Sequence, residues 1–94
     1  MNIKILMLKS LEDVIADVSY RQENMEVVLT NPYVLVMNSE KSEVGFYPYA
    51  PLSSDKEISI SNDWIVSIVN PLEEIAKSYE EKVNAKPEDT GSQS

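Results

Sequence analysis

Between Ile58 and Pro71 the chain alternates aliphatic and polar side chains, breaks at Asn62-Asp63, resumes as Trp64-Ile65-Val66-Ser67-Ile68-Val69, and then meets Asn70-Pro71. Period-two alternation fits a strand with one face buried, and an Asn-Asp pair suits a tight turn, so this stretch predicts two short strands joined by a turn. Asn70, Pro71 and Glu73 then have the order of an N-cap, a first helical position and a capping-box partner. A chain holding such a segment is committed to a sheet that ends against a helix.

The remaining segments extend that sheet. Residues 3 to 8 form a first strand apolar on both sides, Ile3, Ile5 and Met7 against Leu6 and Leu8, so it should be covered twice, by a core and by the terminal helix. Val14, Ala16, Val18 and Tyr20 alternate along a second strand. Gln22-Glu23-Asn24 turns the chain into Met25 to Thr30, and Pro32 should bend or bulge that third strand before Tyr33 to Met37 resumes it. The piece from Val44 to Leu52 holds Phe46, Tyr47 and Tyr49 but also Pro48 and Pro51, which restricts it to an edge strand or extended loop. Leu72, Ile75, Ala76, Tyr79 and Val83 share one helical stripe. The expected organisation is a five-stranded, strongly bent β-barrel over residues 1–70, an amphipathic helix packed on it over 71–84, and a disordered polar tail over 85–94.

Ninety-four residues make one small domain that buries about two-thirds of its unfolded surface, so association with a partner is expected. The net charge is −8, of which residues 1–70 carry −5 and residues 71–94 carry −3, which argues against broad binding to phosphate backbones. Any nucleic-acid site has to be local. With neither His nor Cys there are no disulfides, no thiolate chemistry and none of the usual zinc ligand sets, so no metal or cofactor is expected. No carboxylate pair is placed for acid–base catalysis, and an enzyme is not expected. No apolar run approaches the roughly 18 residues of a membrane span, and a reducing cytoplasm suits the composition.

The residues Ile60-Ser61-Asn62-Asp63-Trp64-Ile65-Val66-Ser67-Ile68 resemble the second motif of the Sm and Sm-like proteins, matching its three aliphatic positions and their spacing. Ser61 stands where that family has Arg, and Asn62 where it has Gly. Ala16, Val18, Arg21-Gln22 and Met25-Glu26-Val27-Val28-Leu29 are similar in their apolar skeleton to the first motif, with Asn24 and Glu26 in place of the family's base-holding residues. Sm proteins usually begin with a helix, whereas this chain ends with one. It is closer in that respect to the short, acidic Sm-like proteins of marine cyanophages and ocean metagenomes. The resemblance, over about residues 3 to 69, implies a homo-oligomeric ring of five to seven subunits that binds single-stranded RNA or DNA, in the host cytoplasm if phage-encoded. In that register Arg21, Gln22, Asn24, Glu26, Ser61 and Asn62 form the nucleic-acid rim, and Phe46, Tyr47, Tyr49, Trp64, Val66 and Ile68 the subunit interface. The competing expectation is an adaptor that binds a protein through its aromatic edge or acidic helix.

Overall fold

Alternating aliphatics become strands along most of the chain, and strand covers about half of the residues that the computed structural model describes, 1–85. The tail expected over 85–94 lies outside them apart from Ala85. In chain order the elements are β1 (Ile3–Leu8), β2 (Asp13–Arg21), β3 (Glu26–Asn38), β4 (Glu43–Pro48), β5 (Glu57–Ser61), a 3-10 turn (Asn62–Trp64), β6 (Ile65–Val69) and α1 (Glu73–Val83). All pairings are antiparallel, in the order β4-β3-β2-β1-β6, with β5 also on β3.

There are six strands, not five, and the sheet does not close into a barrel. Both corrections come from β3. Its first half, Glu26 to Thr30, pairs with β5, and its second half, Tyr33 to Asn38, pairs with β4. The switch falls at Asn31-Pro32, where Asn31 takes a left-handed φ of 52° and Pro32 has no N–H to give. The Asn31 N–H goes instead to the Lys56 carbonyl at 2.8 Å, and the Pro32 carbonyl accepts the Tyr49 N–H at 3.1 Å. The aromatic, Pro-containing segment is thereby a genuine sixth strand, ended by Pro48. Closure would need β5 to pair with β6, but the 3-10 turn carries the chain from one to the other and β6 pairs with β1 alone. Asn62-Asp63 is thus part of a helical turn rather than a hairpin turn, capped by the Ser61 hydroxyl, which accepts the Asp63 N–H at 3.2 Å.

The sheet buries both faces. On the concave side Leu6, Leu8, Val14, Ala16, Val18, Val27 and Leu29 form the core, with Val34, Tyr49, Ile60, Ile65 and Ile68 packed against it. On the other side Ile15 is also fully buried, which the register places beside Ile5 and Tyr33. The helix covers this second face. Its Tyr79 is fully buried, meets Tyr33 edge-on at 6.1 Å, and directs its hydroxyl at the strand switch. That hydroxyl lies within donating distance of the Thr30 and Asn31 carbonyls, at 3.0 and 2.9 Å, and accepts the Asp17 N–H at 3.2 Å. Burial pushes the Tyr79 phenol up to about 12, partly offset by the Asp17 N–H.

The expected capping box does not form. Helix α1 begins two residues later than Pro71, its N-cap is Leu72, and no side chain caps it. The Asn70 side chain is taken by the Lys4 ammonium, which donates to its Oδ1. Leu72, counted in the buried stripe from its spacing, is 71 % exposed.

Candidate functional site

The β2–β3 hairpin fixes where the rim residues stand. Arg21 pairs with Glu26, and Glu26 with Ser61, so these three form one row across the end of the sheet. One position inward, Tyr20 pairs with Val27 and Val27 with Ile60. Because strand side chains alternate, the two rows face opposite ways: Tyr20, Val27 and Ile60 to the core side, Arg21, Glu26 and Ser61 to the other. The Asn62 N–H donates to the Met25 carbonyl at 3.2 Å, which ties the 3-10 turn to the hairpin tip.

An open cleft of about 430 Å³ results, lined by Tyr20, Arg21, Gln22, Met25, Glu26, Val27 and Asn62. Of the six rim residues predicted from sequence, Arg21, Gln22, Glu26 and Asn62 line it. Ser61 lies beside it in the strand row with its hydroxyl occupied as the cap of the 3-10 turn, and Asn24 is exposed at the hairpin turn. The Arg21 guanidinium stands 3.8 Å from the Glu26 carboxylate, an exposed pair that contributes little stability but brings the lining's formal charge to zero.

Two lining residues escaped the sequence reading. Tyr20 alternates with Val14, Ala16 and Val18, which are buried, yet it sits where the sheet runs out and is 55 % exposed. The alternation makes Met25 the first residue of the third strand. It instead occupies the turn with a left-handed φ of 57° and is 68 % exposed. A bulky residue in that conformation is strained, and strain of this kind concentrates at functional sites. Its signal in the sequence was the absence of any Gly or second Asn in the four-residue connection, which forces an ordinary side chain to take the left-handed position.

The expected interface residues divide. Phe46, Tyr49 and Ile68 are half-buried, the last two against the core. Tyr47, Trp64 and Val66 are 57 %, 43 % and 67 % exposed. Gly45 lets the Tyr47 ring lie across its own strand, since a Cβ there would stand 2.7 Å from Tyr47 Cε2. Among the described residues no group of three or more acidic side chains is disposed to hold a metal ion. No helix among them is long and apolar enough to cross a membrane.

A family model described as "Family of unknown function (DUF6561)" matches residues 1–84. No curated protein matches the chain.

Proposed function

The chain belongs to the DUF6561 family, described only as one of unknown function, and from its own residues we propose that it binds single-stranded RNA or DNA as an Sm-like homo-oligomer. The observation that carries this reading is the Tyr20 cleft. An exposed aromatic ring stands beside two neutral amides, Gln22 and Asn62, at the open end of the sheet. A ring offers a base a stacking surface, and an amide offers a donor and an acceptor to its edge. The neutral lining suits a base better than a phosphate, which reconciles the proposal with a chain of net charge −8. The resemblance to Sm proteins is supported by the packing of its aliphatic positions: Ala16, Val18, Val27 and Leu29 lie in the core, and Ile60, Ile65 and Ile68 pack on it.

Self-association belongs to the same reading. Strands β4 and β6 end the sheet and β5 is paired on one side only, and unpaired edges invite pairing with another copy. Exposed Tyr47 on β4 and Val66 on β6 supply apolar surface for such a contact. Ring closure of five to seven subunits would cover the β4 and β6 edges, in a protein working in the cytoplasm.

Titrating labelled single-stranded RNA and DNA pools at low salt tests the binding. Micromolar or tighter affinity is expected, with a shallow salt dependence because Arg21 is the one cation in the lining. Tyr20→Ala should weaken it about tenfold, and Tyr20→Phe should keep it. No shift with any pool, or equal binding by Tyr20→Ala, refutes the proposal.

A further inference from the structure

On the face opposite the core, a second concavity of about 290 Å³ opens between the start of α1 and the sheet. Ile5, Leu35, Met37, Val44, Leu72 and Ile75 form its apolar walls, and Asp13 stands at its margin. It lies on the other face of the sheet from the core-side row that carries Tyr20. Leu72 and Met37, 71 % and 69 % exposed, hold apolar surface out to solvent around it.

Leu72 also breaks a local rule. It is the N-cap of α1, where Ser, Thr, Asp or Asn would satisfy an orphan N–H, and it makes no capping bond. Local rules of this kind are broken where a surface has another use.

Charge says what that use is. Asp13 lines the groove and Glu73 and Glu74 follow Leu72 at the start of α1; all three are exposed, and none pairs with a Lys or Arg among the described residues. Against them stand Lys4, whose ammonium is already engaged by Asn70, and Lys77, one helical turn beyond Glu73. Residues 86–94 contain no Val, Ile, Leu, Met, Phe, Tyr or Trp to fill the groove.

We infer that the groove between the start of α1 and the outer face of the sheet docks a basic amphipathic segment of a partner protein, which seats aliphatic side chains on Leu72, Met37 and Ile75 and sets its Lys or Arg residues against Asp13, Glu73 and Glu74. A cavity of this size takes two or three aliphatic side chains, so affinity comes from apolar contact and charge together.

The test uses the full chain and two fluorescent model peptides of about 16 residues, one with Leu and Lys at helical spacing and one with Glu replacing Lys. The basic peptide should bind in the micromolar range and the acidic one should not. Leu72→Asp and Met37→Asp are the decisive variants, because each adds negative charge and would strengthen a purely electrostatic association. Each should weaken the basic peptide at least fivefold, and Leu72→Asp, which supplies a proper N-cap, should raise Tm. Tyr20→Ala should leave peptide binding unchanged, which separates this groove from the base-binding cleft. Unchanged or tighter binding by both Asp variants, equal binding of the acidic peptide, or no binding of the basic one overturns the inference. So does a wild-type assembly in which Leu72→Asp breaks self-association, since the groove would then be covered by a second copy.

Discussion

Tyr79 shows how much one side chain can organise. Its hydroxyl serves two carbonyls and an N–H where β3 changes partners, and its ring covers a fully buried site. Tyr79→Phe keeps the ring but leaves those backbone groups short of a partner, and should lower stability by about 1–3 kcal/mol in urea unfolding. The phenol is held at about 12, above its ordinary value of 10.0, so folding favours the protonated form. Its contribution is whole below pH 10, falls as pH rises from there, and is gone above 12. The stability gap between wild type and Tyr79→Phe should therefore narrow across that interval. A gap that stays constant would show that the hydroxyl does not titrate in the folded protein as described. Met25 shows the opposite balance. Met25→Gly should relieve its left-handed strain and raise stability by about 1 kcal/mol while weakening oligonucleotide binding, both read on one preparation by thermal melts and titration. Tyr79 was legible in the sequence as part of a buried stripe, but its hydrogen bonds were not, because they depend on a bend 48 residues away.

At the scale of elements, strand β3 decides the architecture. Asn31 tolerates the left-handed turn that lets β3 pair first with β5 and then with β4. Asn31→Gly should be nearly neutral, whereas Asn31→Ala should destabilise by about 1 kcal/mol in denaturant melts, since only the latter adds strain. Equal losses from both would mean that the Asn side chain, not the backbone conformation, is what matters. Strands β1, β2 and β3 were readable from alternation and from the Pro32 interruption, which marked a bend correctly. The same pattern left the Val44 to Leu52 piece open between an edge strand and an extended loop, and β4 is an edge strand in which only Pro48 falls, at its last position. Nor did Asn70-Pro71-Leu72-Glu73 deliver the cap that its order implies. Lys4, distant in sequence, occupies the Asn70 side chain, and local capping loses to that tertiary contact.

For the whole molecule, an open sheet with a core on one face and a helix across part of the other still has bare borders. The exposed Tyr47, Trp64 and Val66 lie on or beside them, which a small acidic monomer has no internal reason to keep. Arg21, Glu26 and Ser61, grouped by the Sm-like spacing, fall in one register row, but the division between that row and the Tyr20 row was not legible. Reading that division needed the hairpin's pairing, which places Tyr20 at the open end rather than in the core. Native mass spectrometry of the purified chain, with and without a single-stranded oligonucleotide, tests the account most directly. The account predicts a closed assembly of five to seven copies of the 10.6 kDa chain that gains the mass of bound oligonucleotide and loses that gain in Tyr20→Ala. A 10.6 kDa monomer that takes up no oligonucleotide would contradict it.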